Sequence, residues 1–191
     1  MRSRRAALRW LGLAGWVGAG GYPSAQPALP RVVGVLWFAS ESHVTQRAAM
    51  FRQRLRELGQ IEGRTLVLDQ RYAEGSMSRL DERAREFVRA RVAVIVTPAL
   101  AATMAARRAT DTIPIVMIHA GDPIGAGLIA SLARPGGNVT GTSNVPLGAK
   151  HIELMHEITP HMRRLAVLVN PSNAGARLFI ASLGAAAQRL G

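Results

Sequence analysis

The feature that most constrains the fold of this chain is a regular alternation of short apolar runs with longer amphipathic segments. Runs such as "RVVGVLWF" and "VAVIVT" are typical of strands buried on both faces of a sheet. Strands are predicted at residues 31–38, 66–72, 92–97, 113–120, 138–143 and 164–170. Helices are predicted at residues 43–58, from residue 78 through at least residue 88, and at residues 98–108, 124–133, 149–158 and 174–190. Because alternating strands and helices give parallel strands joined by right-handed crossovers, we predict an α/β fold, a doubly wound parallel sheet with helices on both faces.

Local signals predict where several helices begin and end. Gly59 follows the first helix, as a left-handed cap requires, and Ser78 with Asp81 matches a capping box for the second. Pro98 suits the first turn of the third helix. The apolar face of the first helix is predicted to consist of Val44, Ala48, Phe51, Leu55 and Leu58.

The residues that directly follow the strands are the candidate ligand contacts, because doubly wound sheets bind ligands beyond the carboxyl ends of their strands. They are Ser40, Glu41, Thr97, Pro98, Ala99, Asp122, Pro123 and Asn144. Free N–H groups after Thr97 would suit a ligand carboxylate, although Thr97 could simply cap its helix. Asp122 also has two interpretations, as a helix N-cap or as a carboxylate for a ligand's ammonium or hydroxyl group.

Motifs typical of other chemistries occur, but their sequence context does not fit those chemistries. Residues 125–130, "GAGLIA", match a dinucleotide fingerprint, but they follow the fourth strand and lack the acidic residue expected about twenty residues later. Their glycines are interpreted as close helix–sheet packing. "RPGGN" lacks the Gly-Lys-Ser/Thr of a phosphate loop, and no G-x-S-x-G elbow occurs. His151 and His156 are five residues apart, on different helix faces, which disfavours a metal site. We expect no cofactor, no metal and no catalytic residue.

The formal charge of +12 suggests nucleic-acid binding, but the distribution of charge argues against it. Four arginines lie within the first nine residues, and most others alternate with acidic residues along several helices. A nucleic-acid surface gathers its charge on one face and interleaves aromatic residues. Solvated helix faces are therefore the interpretation of these arginines, and no nucleic-acid partner is expected. The absence of cysteine excludes disulfides and a lipid-modified cysteine.

The first thirty residues have the pattern of an export signal. A basic start, an uncharged and mostly apolar or glycine stretch, and "YPSA" before Gln26 predict a signal peptide over residues 1–25. "SRRAAL" is similar to a twin-arginine signal, so the Sec and twin-arginine routes both stay open. An uncleaved membrane anchor is the alternative, although the apolar run is short for a span. We expect a periplasmic protein with no stable membrane span after cleavage.

Taken together, these motifs resemble a known family. The series "GVLWFASES", "VAVIVTPALAAT", "IPIVMIHAGDPIGAGLIASLARPGGNVTG" and "RLAVLVNPSN" is similar to the periplasmic substrate-binding components of ABC transporters. The similar subgroup has the type I periplasmic-binding fold of the tryptophan/tyrosine binders. The resemblance implies a non-catalytic receptor that captures a small, amino-acid-like solute between two lobes. It also implies partners, namely a membrane permease and its separate ATPase.

The resemblance further implies how the chain is divided. Residues 31–143 would form the first lobe, 144–163 the hinge and crossover, and 164–191 an incomplete second lobe. A two-lobed protein needs roughly 300 residues on ordinary domain sizes, so a C-terminally truncated fragment is expected, and a fragment without function is one alternative. The other is an exported hydrolase or reductase that uses His119 or Asp122 as a base.

Overall fold

The computed structural model describes residues 30–144, 148–170, 173 and 175–190. The predicted signal peptide, residues 1–25, lies outside the described residues. Five strands are formed, β1 Arg31–Trp37, β2 Leu66–Tyr72, β3 Val94–Pro98, β4 Ile115–Gly121 and β5 Val139–Asn144. The helices are α1 Glu41–Glu57, α2 Met77–Arg89, α3 Leu100–Ala109, α4 Gly148–Ile158 and α5 Ala176–Leu190.

The strands form one sheet in the order β2-β1-β3-β4-β5, and every neighbouring pair is parallel. Helices α2 and α3 cover one face, where Leu36, Phe87 and Ile115 are fully buried. Helix α1 covers part of the other face against Val35 and Trp37. The predicted doubly wound α/β fold is therefore confirmed.

Two predicted helix starts differ from the structure. Ser76, not Ser78, is the N-cap of α2, and its side chain accepts a hydrogen bond from the Arg79 N–H. Gly75, at φ 76°, makes the left-handed turn just before it, so the helix starts earlier than Ser78. Pro98 ends strand β3 instead of starting α3.

The helix predicted over residues 124–133 is absent from the structure, which has turns there. One helical turn does form, since the Ala126 N–H bonds the carbonyl of Asp122 at 3.0 Å. Gly127 then adopts φ 68°, a left-handed conformation that ends it. The predicted apolar face of α1 also ends early, because Leu58 is 61% exposed. Gly59 does provide the predicted left-handed cap, at φ 77°.

Residues 164–170 were predicted as a sixth strand and form no strand in the structure. Leu165, Val167 and Leu168 are exposed there. A strand needs a neighbour for its ladder, and within the described part of the chain none lies beside this segment. Helices α4 and α5 pack on each other through a small cluster centred on Ile152, Leu183 and Ala186.

Candidate ligand-binding cleft

An open cleft of about 500 Å³ lies at the carboxyl ends of the sheet strands. One wall comes from the residues that follow or end β3, β4 and β5. These are Ala99, Leu100, His119, Gly121, Asp122 and Asn144. The opposite wall includes His151 on α4, Phe179 on α5, and Leu168 on the segment between these two helices. The volume is that of a small-molecule site, and both polar and apolar groups line it.

The N-terminus of helix α3 opens onto this cleft without a side-chain cap. Its N-cap residue is Ala99, which offers no hydrogen-bond acceptor to the first N–H groups of the helix. These N–H groups and the positive end of the helix dipole favour an anion. A carboxylate in the cleft would therefore meet N–H donors that no side chain of the described residues caps.

Thr97, at the end of strand β3, helps to fix the position of this end of helix α3. Its side chain is fully buried, and its Oγ1 lies 2.9 Å from the Oγ1 of Thr103. Thr103 in turn donates to the carbonyl of Ala99 at 2.9 Å. Ala99 is held at φ 133° and ψ 156°, a region that glycine adopts almost exclusively. Thr97 thus connects β3 to α3 and does not cap the helix.

A bulge in strand β4 brings His119 to the cleft. The β4–β5 register shifts between Met117 and Ala120, and His119 between them has φ 60°. Its backbone N–H donates to Thr142 Oγ1 at 3.3 Å, and its side chain is exposed. Bulges of this kind redirect a side chain, and they are frequent beside functional sites.

Asp122 is held in a tight turn at the edge of the cleft. Its Oδ1 accepts a hydrogen bond from the Gly125 N–H at 2.9 Å, and its backbone has φ 39°. A Cβ atom on Gly125 would collide with this carboxylate, so a larger residue there would displace the Asp122 side chain. The space beside Gly125 is thus taken by Asp122 and not by the helix–sheet packing inferred from the sequence. Oδ2 has no hydrogen-bond partner among the residues the structure describes, and it remains available to a ligand.

Three of the five described non-glycine residues with positive φ therefore line one cleft, namely Ala99, His119 and Asp122. Each such residue costs about 1–3 kcal/mol, and these conformations concentrate at ligand sites. The strained backbone therefore indicates a ligand site at this edge of the sheet.

The structure brings three of the predicted contacts together, Ala99, Asp122 and Asn144. The other five lie elsewhere. Thr97 and Pro123 are buried beside the cleft. Pro98 lines an apolar pocket on the face of the sheet that α1 covers, next to Trp37.

Ser40 and Glu41, the remaining two, lie at the start of α1 and do not line the cleft. Ser40 Oγ is 2.6 Å from His43 Nδ1. The pKa of Tyr72 is raised mainly by burial, and the nearby Glu41 carboxylate also raises it.

Sequence reasoning missed the opposite wall of the cleft. His151 and Phe179 lie on helices, so a rule based on strand ends could not select them. Leu100 was missed because its neighbours carried the more polar chemistry. Among residues 30–144, 148–170, 173 and 175–190, no group of three or more metal-ligating side chains comes together. None of the described helices has the length and apolarity to cross a membrane.

A parallel sheet with an open, partly polar cleft at its carboxyl edge is typical of α/β proteins that bind small molecules. The family model described as ABC transporter substrate binding protein matches residues 32–191. The chain therefore belongs to the ABC transporter substrate-binding protein family.

Relatives of known sequence and structure agree with this family. A tyrosine-binding protein of Clostridioides difficile (strain R20291) is 33% identical over 133 residues, which are 70% of this chain and 39% of that protein. A conserved domain protein from Vibrio cholerae is 32% identical, with a TM-score of 0.71, over 83% of this chain and 54% of its own.

Another similar structure contains a ligand. An ABC domain from Streptococcus pneumonia in complex with L-Trp is 27% identical, with a TM-score of 0.71, over 85% of this chain and 55% of that one. The chain spans about half the length, or less, of these relatives.

Proposed function

We propose that this chain is the ligand-capturing part of an ABC importer's substrate receptor, and that its solute is a free amino acid. The observation that carries the proposal is the pairing, in one cleft, of the uncapped N-terminus of α3 with the carboxylate of Asp122. An amino acid presents one carboxylate and one ammonium group, and these two features complement them. Support comes from relatives that bind tyrosine and L-Trp by their own descriptions.

Within the cleft, each part of the ligand has a candidate partner. The carboxylate would accept hydrogen bonds from the N–H groups at the start of α3, next to Ala99. The ammonium group would contact the free Oδ2 of Asp122. Phe179 and Leu168, on the opposite wall, would contact an apolar or aromatic side chain. His119 and Asn144 are left to contribute hydrogen bonds at the rim.

The proposed organisation follows the expected division of the chain. Residues 31–143 form the first lobe, 144–163 the crossing segment, and 164–191 the beginning of a second lobe. Closure of two lobes over a ligand would be driven by contacts made only in the closed state. The receptor is non-catalytic and periplasmic, and it delivers its solute to a membrane permease with a separate ATPase.

Binding can be tested with ligands that lack one charge at a time. We expect L-tryptophan or L-tyrosine to bind the chain in calorimetry and to raise its melting temperature. Tryptamine lacks the carboxylate and indole-3-propionate lacks the ammonium group, so each should bind roughly ten- to hundredfold more weakly. If the full panel of amino acids leaves the melting curve unchanged, the proposal is wrong.

The role of Asp122 has a conservative test. In Asp122→Asn the amide oxygen still accepts from the Gly125 N–H, so the turn is kept while the charge is lost. We expect amino-acid affinity to fall roughly ten- to hundredfold, and indole-3-propionate affinity to change little. Asp111→Asn, an exposed residue on the loop between α3 and β4, is the matched control and should bind like the parent. Equal losses for both indole ligands would contradict the assignment.

A further inference from the structure

The topology of the lobe collects arginines at the end opposite the cleft. Helices α1, α2 and α3 each run from the carboxyl end of one strand back to the amino end of the next. Their C-termini and the strand starts therefore share one end of the molecule, here called the basic end. Six exposed arginines lie there, Arg31, Arg56, Arg64, Arg89, Arg91 and Arg107.

Backbone contacts show that three of these arginines lie on neighbouring chain segments. The Arg31 N–H bonds the carbonyl of Thr65, at 3.4 Å, directly after Arg64. The Ala93 N–H bonds the carbonyl of Val32 at 2.8 Å, so the loop that carries Arg91 adjoins the start of β1. Strand β1 thus has an arginine at its own start and one beside it on each side.

The arginines of the basic end carry positive charge without an acidic partner in the described residues. None of the six arginines forms an ion pair in the part of the chain that the structure describes. The nearby carboxylates of Glu57 and Glu62 are paired with other arginines, Arg54 and Arg52. Asp111 is the remaining acidic residue on the described loops at this end.

Helix stabilisation accounts for only part of this pattern. Cations in the last turn of a helix interact favourably with its dipole, and this explains Arg56, Arg89 and Arg107. Arg31 lies in a strand, and Arg64 and Arg91 lie in loops. These three have no such role, although the three helix ends and the three strand starts form one surface.

Exposed apolar side chains accompany the arginines and indicate the kind of partner. Leu58 is 61% exposed and Ile61 is 38% exposed, both on the loop that carries Arg64. Adjacent cationic and apolar side chains suit the boundary between lipid headgroups and acyl chains. The described loops at this end carry no aromatic residue for stacking on bases. These features favour a lipid surface over a nucleic acid.

We propose that the basic end binds the surface of an anionic phospholipid membrane, with the arginines on phosphate groups and Leu58 and Ile61 at the acyl boundary. Bound in this way, the receptor holds its cleft away from the bilayer, so it has to leave the lipid surface before it delivers its solute to the permease. Membrane binding through the basic end involves no residue of the cleft, so it does not depend on whether the ligand is an amino acid.

Vesicle sedimentation of the full chain tests the proposal. Every protein carries glutamine in place of the four arginines within residues 1–9, so that the leader contributes no basic charge. The test variant is Arg31→Gln/Arg64→Gln/Arg91→Gln. The matched control, Arg47→Gln/Arg85→Gln/Arg177→Gln, removes the same charge from exposed helical positions elsewhere. Vesicles contain phosphatidylcholine alone, or equal parts phosphatidylcholine and phosphatidylglycerol.

The parent should bind the phosphatidylglycerol vesicles and not those of phosphatidylcholine alone. Each arginine should contribute about fivefold to partitioning onto the vesicles. The test variant should therefore bind the vesicles roughly a hundredfold more weakly than the parent, and the control variant should lose far less affinity. Leu58→Ser should weaken vesicle binding and leave binding to an oligonucleotide unchanged. Equal losses in the two triple variants would overturn the proposal, as would stronger binding of an oligonucleotide than of the vesicles. Circular dichroism of each variant checks that the fold is kept.

Discussion

Ala99 shows how much a single residue at the cleft is constrained. Its backbone, at φ 133° and ψ 156°, is in a region where a Cβ atom is unfavourable. Hydrogen bonds from the Thr103 N–H at 3.1 Å and the Thr103 Oγ1 at 2.9 Å hold its carbonyl. The strain is therefore balanced by contacts that orient the start of α3 toward the cleft.

Replacing Ala99 with glycine should stabilise the protein. Glycine adopts this conformation without strain, so we expect Ala99→Gly to raise the free energy of unfolding by about 1 kcal/mol, after the extra chain entropy of glycine is subtracted. Urea denaturation measures the change. The control is Ala101→Gly in the helical first turn of α3, which should lower stability by about 1 kcal/mol. If both variants lose stability, Ala99 is not strained.

Among the elements, β1 and α2 approach each other closely in the core. A Cβ atom on Gly34 would lie 2.9 Å from the ring of Phe87. The ring cannot move away freely, because the guanidinium of Arg71, a residue of β2, lies 4.7 Å from the ring centre. Arg71 is itself fixed by ion pairs with Asp69 and Glu86.

One substitution should therefore have opposite effects in two elements. Gly34→Ala should lower the free energy of unfolding by about 1–3 kcal/mol through overpacking. Gly184→Ala, in the open middle of α5, should raise it by about 1 kcal/mol through helix propensity. Thermal and urea melts of both variants measure the difference. A neutral Gly34→Ala would show that Phe87 and Arg71 can shift together.

The elements show what sequence reasoning could and could not predict. Strand and helix order follows from local apolar periodicity, which predicted the five strands of the sheet correctly, although the sixth strand expected at residues 164–170 was wrong. The helix expected at residues 124–133 was wrong because Gly127 takes a left-handed conformation within an apolar pattern. The wall formed by His151 and Phe179 depends on tertiary packing, which strand-end rules do not describe. The conformation of Ala99 leaves no trace in the sequence at all.

Over the whole molecule, backbone protection should be uneven. The amides of β1 and β3 lie in the middle of the sheet, whereas residues 164–169 form no strand and their N–H groups have no backbone partner in the described chain. Hydrogen exchange measured by mass spectrometry should show rapid exchange across residues 164–169 and slow exchange in Val94–Pro98. Comparable protection of the two segments would mean that residues 164–169 do form a sheet.

The position of the first strand in the sheet has a consequence for the timing of synthesis. Strand β1 is made early but lies between β2 and β3, and Val33 pairs with Val94, about sixty residues further along. At roughly 5–20 residues per second, β1 waits several seconds for its second neighbour. During that interval the nascent chain has no complete sheet to fold into.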